Sequence, residues 1–421
     1  MIRSVTRILL AFTLFAPALA RSEEKPILKK GDRVVIIGDS ITEQKLYSKY
    51  METYLVACQS QLDLSCLQLG WGGETAGGFL GRMDFDLFWF HPNVITTCYG
   101  MNDGGYRAFE KGIGDNYRRN MNTILQKAKK AGVFVVVGSP GVVDSKFFRG
   151  GGEQATVYND NLAHLRDIDK ELAKENSFAF ANVHDAMFQA MPVAKKALGE
   201  SYPIGGGDGV HPAPNGQLIM AYAFLKGLKV NGQIATITVD LADQATASDG
   251  HKIVSAKGGY IELESTRYPF CFSGDDKSPN SPASILPFLP FQQELNRFTL
   301  VVKNAKSDKV KVTWGKESKS FTRDQLEKGV NLAAEFKETP FAGAFKNVEN
   351  AVGAKQNYET PLIKSYHVAL RGLQNEAKED AEIAAAVKLL TERLHAKQQK
   401  MVDTVRAAVV PVKHVLKIEP E

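Results

Sequence analysis

The sequence predicts an α/β protein: a doubly wound, five-stranded parallel sheet with a β-rich unit and a helical hairpin appended after it. Two patterns carry that prediction. Across 32–229 short apolar runs alternate with longer amphipathic stretches, the rhythm of βαβ units. Beyond 229 that rhythm gives way to short alternating runs, and from 361 onward to apolar residues at helix-face spacing. The 421 residues are 44% hydrophobic and 24% charged, ordinary values for a folded chain, so disorder and fibrous architectures are excluded. At roughly 150 residues per domain the length calls for two to three domains.

The five runs are 33–37, 67–69, 94–99, 133–137 and 178–183, short and in several cases rich in β-branched residues, as strands covered on both faces require. Five such strands with intervening helices predict a flavodoxin-like sheet. Between them, 117–131 places Tyr117, Met121, Ile124, Leu125 and Ala128 on one face of a helix. After it the runs 235–241, 260–263, 298–302 and 310–314 predict a small antiparallel β unit over 234–350, its last two strands joined by the turn-rich 303–309, with an exposed loop over 273–284. Thr360-Pro361 predicts a helix start. Ile383, Val387, Leu390, Leu394, Met401 and Val405 predict the second arm of a helical hairpin over 358–410. The segment 412–421 alternates again and is expected to return as a strand to the β unit.

The first twenty residues have the pattern of an export signal: Arg3 and Arg7, an apolar run over 8–14, then Ala18-Leu19-Ala20 as a small-residue cleavage site. The apolar stretch is shorter than the roughly 20 residues that span a bilayer. Cleavage near Ala20 gives a periplasmic or secreted protein without stable membrane insertion; an uncleaved interfacial anchor is the alternative. The net charge of +5 is spread along the chain, which argues against a nucleic-acid partner. Cys58, Cys66, Cys98 and Cys271 are too few for a disulfide framework, and a Cys58–Cys66 pair stays open against two buried thiols. With no C-x-x-C and no H-E-x-x-H, no metal site is expected.

Four segments carry chemistry. The first strand runs into Gly38-Asp39-Ser40-Ile41-Thr42, placing Ser40 at the carboxyl end of a strand, where open α/β sheets bind ligands. Taken alone, Ser40 or Thr42 reads more readily as a helix cap. Leu69-Gly70-Trp71-Gly72-Gly73-Glu74-Thr75 follows the second strand, and its glycines let backbone N–H groups approach a ligand. Tyr99-Gly100-Met101-Asn102-Asp103 closes the third strand with an amide able to donate to an oxyanion. Finally, Gly205-Gly206-Gly207-Asp208-Gly209-Val210-His211-Pro212 sets a carboxylate three residues before an imidazole it can orient.

In this order the four segments resemble the SGNH, or GDSL-type, esterase and lipase superfamily. The resemblance covers about half the chain, 32–229. It implies Ser40 as nucleophile, His211 as general base and then acid, and Asp208 as the residue that orients it. It also implies an oxyanion hole from the Ser40 N–H, Gly73 and Asn102; of Gly72 and Gly73, the latter is chosen because Glu74-Thr75 follows it. A serine hydroxyl needs a neighbouring base, and the chemistry needs no cofactor. Trp71, two residues from Gly73, is a candidate substrate-binding wall. His184-Asp185 and His91 are assigned to a helix start and a loop, Phe88, Trp89 and Phe90 to core packing, and Gly150-Gly151-Gly152 to a mobile loop.

The leading functional reading is an exported serine esterase that hydrolyses a small acyl ester, acetyl above all, on a carbohydrate. The alternatives are a lipid-directed esterase or lysophospholipase, an O-acyltransferase, and a non-catalytic binding protein. The sequence leaves the oligomeric state open.

Overall fold

A computed structural model describes residues 26–242 and 244–421; the predicted export segment lies outside the described residues. Strands β1 (Arg33–Gly38), β2 (Ser65–Gln68), β3 (Val94–Cys98), β4 (Phe134–Gly138) and β5 (Ala179–Ala181) form an all-parallel sheet in the order β2-β1-β3-β4-β5. Along β1, Val34 and Ile36 belong to one core cluster and Val35 and Ile37 to another, all fully buried. Both faces are therefore covered, which is why the strand reads as an unbroken apolar run. The helix Lys111–Lys130 covers one face with Tyr117, Met121, Ile124, Leu125 and Ala128, all buried. The helix Pro214–Gly227 covers the other with Leu218, Ala221 and Leu225. In this strand order the chain reverses direction of travel between β1 and β3, so a crevice opens at their carboxyl ends.

The C-terminal half differs from the expected single antiparallel unit. Its strands are β6 (Gln233–Asp240), β7 (Gln244–Ala247), β8 (His251–Lys257), β9 (Tyr260–Ser265), β10 (Arg297–Lys303), β11 (Lys309–Trp314), β12 (Glu317–Thr322), β13 (Val330–Asn331) and β14 (Val412–Pro420). They make two sheets, β13-β10-β6-β7 and β12-β11-β14-β9-β8. The segment expected to join β10 and β11 as neighbours instead carries the chain between sheets, and β10 lies parallel to β6. Its Asn304 sits at φ 59 and donates to both Asp240 carboxylate oxygens at 2.9 Å, which ties the crossover to β6 rather than closing a hairpin. Between the sheets, Phe298 of β10 lies 5.1 Å from the Trp314 ring of β11.

The helix expected to start at Thr360-Pro361 starts at Ala342 and reaches its end at Pro361. Proline has no N–H for the carbonyl four residues back, and the chain continues as a π-helical turn, Leu362–His367, in which such a gap is accommodated. The return helix, Ala381–Ala407, starts at an Asp380 cap and buries Val387 and Val405, but Leu390 stays 52% exposed. This hairpin packs on the hydrogen-bonding edge of β2. Lys355 Nζ donates to the Cys66 carbonyl at 2.9 Å, and Gln68 N–H donates to Glu359 at 3.0 Å, so an otherwise bare strand edge is satisfied. Lys355 also bridges Glu52 at 3.1 Å and Glu359. Burial pushes the Glu52 carboxyl up. It works against the Lys355 ammonium as well, but Glu359 and Glu52 outweigh it and keep the amine protonated.

All four cysteines are free thiols, with Cys58 and Cys66 buried and unpaired. Gly150 and Gly151 open a long helix, Gly151–Asn176, in place of the expected mobile loop. Among the described residues no helix is long and apolar enough to cross a membrane.

Candidate active site

Ser40 follows β1 as the first residue of a short helix, Ser40–Glu43. The cap is Asp39, whose carboxylate accepts the Ile41 N–H at 2.9 Å, so the serine hydroxyl is free of capping duty. Burial lifts the Asp39 carboxyl to about 7 against the pull of that N–H. Thr42 is buried and its hydroxyl pairs with that of Tyr47 at 2.7 Å.

Ser40 Oγ lies 2.8 Å from His211 Nε2, across 171 residues of sequence. His211 Nδ1 lies 2.6 Å from Asp208 Oδ2, and Asp208 Oδ1 accepts the N–H groups of Val210 and His211, both at 2.9 Å. Partial burial works to raise Asp208, but those two N–H groups and the imidazole outweigh it and hold the carboxyl below its usual range. The loop can turn so tightly because of two glycines. A Cβ on Gly206 would sit 1.8 Å from the His211 carbonyl oxygen, and one on Gly209 would sit 2.3 Å from the Phe148 nitrogen. Beneath it, buried Asp144 holds the loop from both ends: it accepts from Lys195 Nζ at 2.6 Å and Ile204 N–H at 3.0 Å, and its own N–H donates to the Gly209 carbonyl at 2.8 Å.

The two glycines left open by the sequence are distinguished here. Gly72 N–H donates to Glu43 Oε2 at 2.6 Å, whereas Gly73, at φ +73, has no acceptor for its N–H among the described residues. Asn102 Nδ2 donates one hydrogen to the Glu74 carbonyl at 3.0 Å, and its Oδ1 accepts the Tyr106 hydroxyl at 3.0 Å, which fixes which end of the amide faces the glycine loop. Tyr106 is itself held at φ 58, a conformation uncommon for a bulky residue. Asp103 ties the same loops together through the N–H groups of Ala76 at 3.0 Å and Gly100 at 3.1 Å, and burial raises its carboxyl to about 6.

Under the glycine loop lies a buried ion cluster. Arg82 meets Glu74 through Nε at 2.6 Å and Nη2 at 2.7 Å, the fork geometry that suits a carboxylate, and also donates to the Leu69 carbonyl at 2.8 Å. Tyr99 donates to Glu74 at 2.8 Å. Burial acts against the Arg82 charge, but the bonds to Glu74 dominate and strengthen it. Trp71 borders the cleft beside this loop, with the Arg82 guanidinium 5.1 Å and the Lys364 ammonium 5.2 Å from its ring centre. Lys364 also pairs with Glu43 at 2.7 Å, so the C-terminal half touches the carboxylate that occupies Gly72.

Sequence reading missed Glu43, Tyr106, Lys364 and Arg371. Glu43 and Tyr106 adjoin the recognised segments; Lys364 and Arg371 stand in a helical stretch with nothing local to mark them. The other candidates lie elsewhere. His184 and Asp185 pair with each other at 2.9 Å in the first turn of the helix Val183–Leu198, whose cap is Asn182. His91 closes a turn at φ 49. Phe90 is buried and stacks on His395, 4.2 Å between ring centres, while Trp89 packs on Phe85. Among the described residues no group of three or more His, Cys, Asp and Glu side chains is arranged to hold a metal ion.

Residues 36–219 match the GDSL-like lipase/acylhydrolase family. Among solved structures, a gut microbial diltiazem-metabolizing enzyme superposes with a TM-score of 0.72 at 20% identity, covering 94% of this chain and 98% of its own. The likeness at that identity is one of fold, and it extends through the C-terminal half. An acetylxylan esterase from Geobacillus stearothermophilus gives a TM-score of 0.40 at 20% identity, covering 48% of this chain and 96% of its own. No curated protein matches. The parallel sheet with a serine at the end of its first strand, together with the family match, makes residues 36–219 a carboxylic ester hydrolase domain of the GDSL type.

Proposed function

We propose that the protein is a serine esterase that removes a small acyl group, acetyl in the first instance, from a larger oxygen-rich molecule. The observation that carries the proposal is the unbroken chain Ser40–His211–Asp208, 2.8 Å and 2.6 Å between successive partners. His211 takes the Ser40 proton as the hydroxyl attacks the ester carbonyl, then returns it to the departing alcohol; Asp208 holds the imidazole in the required tautomer and stabilises its charged form. The oxyanion is received by the N–H groups of Ser40 and Gly73, neither of which has an acceptor among the described residues, and by the second hydrogen of Asn102 Nδ2. Water then attacks the acyl-enzyme with the same imidazole as base. The His211 and Asp208 side chains are 33% and 56% exposed, which favours water over a second alcohol as acceptor. The cleft beside Ser40 is lined by glycine and by charged side chains, which suits an oxygen-rich molecule better than a long alkyl chain. Hydrolysis takes place after export, with cleavage near Ala20; amino-terminal sequencing of the protein from the periplasmic fraction or the medium tests this.

A fluorophosphonate probe should label the wild type and not Ser40→Ala, which should also lose at least ~10⁴-fold in kcat, the scale on which such triads fail. Nitrophenyl acetate should be cleaved at least tenfold faster than the octanoate, and diltiazem belongs in the same panel. Equal labelling of wild type and Ser40→Ala would overturn the nucleophile; preference for the octanoate would overturn the small acyl group.

A further inference from the structure

The cleft that opens beside Ser40 has a volume of about 420 Å³, at the small end of the ~300–1,000 Å³ range of ligand sites. It adjoins the nucleophile through Gly72, on which a Cβ would lie 3.9 Å from the Ser40 Cβ. Gly72, Gly73, Gly78 and Gly81 line it without side chains, together with Trp71 and Arg371. Arg371 comes from the helix Val368–Gly372, so the C-terminal half contributes to the cleft.

The charges around the cleft cancel. Arg82 is matched by Glu74, Lys364 by Glu43, and Arg371 by Asp86 at 3.2 Å. Hydrogen-bond donors are what remain. Arg371 commits only Nη1, and the Trp71 Nε1–H has no acceptor among the described residues. A balanced field offers no attraction to an anion, while free donors over a polar floor favour a neutral molecule rich in oxygen acceptors. An apolar alcohol would leave those donors unpaired once the cleft is filled.

We infer that this cleft binds the alcohol half of the ester, that the alcohol is a neutral sugar, and that Arg371 is a specificity-determining residue contributed by the C-terminal half. The inference rests on the esterase reading above and names its substrate class. In it, Arg371 and the Trp71 N–H donate to sugar hydroxyl or ring oxygens while the acetyl carbonyl lies over Ser40.

The test compares three esters on the full chain: nitrophenyl acetate, an acetylated neutral xyloside, and an acetylated glucuronide. In Arg371→Ala the ratio of kcat/KM for the xyloside to that for nitrophenyl acetate should fall about tenfold, chiefly through KM. Because Asp86 loses a partner in that variant, Trp71→Phe serves as the second probe: it keeps an aromatic ring beside Arg82 and Lys364 while removing the N–H and part of the ring area, and the same ratio should fall about threefold. A ratio unchanged in both variants overturns the inference, as does a wild type that prefers the glucuronide over the xyloside. Both outcomes leave nitrophenyl acetate hydrolysis standing. Absence of that hydrolysis in the wild type would instead sink the esterase reading, and the sugar cleft with it.

Discussion

Two buried ion clusters flank the parallel sheet, built alike but holding different things. Arg82, Glu74 and Asp86 lie under the glycine loop after β2, and their bonds run to the backbone that leads into that loop. Lys355, Glu52 and Glu359 lie against the edge of β2 itself, and their bonds join the C-terminal hairpin to the first half. In each, a cation is buried only because carboxylates and carbonyls surround it, so removing one partner leaves charge without compensation. The difference is in what moves when a cluster fails. Loss of the first is expected to displace Gly73, the proposed oxyanion donor, and loss of the second to loosen the C-terminal hairpin.

The comparison breaks most visibly at Lys355. Lys355→Met leaves Glu52 and Glu359 facing each other without a cation and should cost about 3–5 kcal/mol of stability, read as a shift in the urea midpoint. A change below about 1 kcal/mol would show that the hairpin is held by its apolar contacts alone. Beside the other cluster, where Asn102 bonds to the Glu74 carbonyl, the expected effect falls on rate. Asn102→Ala removes one oxyanion donor and should lower kcat by about 10²–10³, with an unfolding midpoint close to that of the wild type. A loss confined to KM would contradict the oxyanion role.

A third prediction uses pH. Asp39 is buried with its carboxyl raised from 3.8 to about 7. At pH 3 both folded and unfolded forms carry the proton and nothing is lost. As pH rises from about 4 to 7 the unfolded carboxyl ionises while the folded one resists, so the folded state loses stability and the loss is complete above about 7. Asp39→Asn keeps an oxygen for the Ile41 N–H and cannot ionise. Relative to wild type it should gain on the order of 2–4 kcal/mol between pH 4 and pH 8, measured by urea unfolding. A difference that does not vary with pH would show that Asp39 titrates normally. The smallest effect is expected at Leu390, which helix-face spacing assigned to the core and which is exposed: Leu390→Glu should change stability by no more than about 0.5 kcal/mol.

What could be read from the sequence follows the same division. The sheet of the first half was legible because doubly covered strands such as β1 are unbroken apolar runs, and because the serine, glycine and asparagine segments each follow a strand while the histidine segment precedes the last helix of that half. The choice of Gly73 over Gly72 was legible only as a family likeness. Its physical reason, Glu43 occupying the Gly72 N–H, depends on a side chain 29 residues away. In the C-terminal half local signals misled. Thr360-Pro361 has the composition of a helix start, yet Pro361 ends a helix because the π-turn that follows absorbs its missing N–H. The polar residues between β10 and β11 have the composition of a hairpin, yet they cross between sheets, a pairing decided by contacts with Asp240 that no window around them contains. Lys364 and Arg371 reach the cleft from that same half, with no neighbouring motif to announce them.

The placement of β14 has one more consequence. It fills the middle of its sheet, antiparallel to β9 on one side and β11 on the other, although 80 residues separate it from β13, the strand before it in the chain. A ribosome will have delivered every other strand before this one emerges, and until then β9 and β11 wait with open edges. The sandwich therefore closes last, from its centre outward, and a nascent chain halted just short of Val412 carries two unpaired edges ready to adhere to whatever strand they meet.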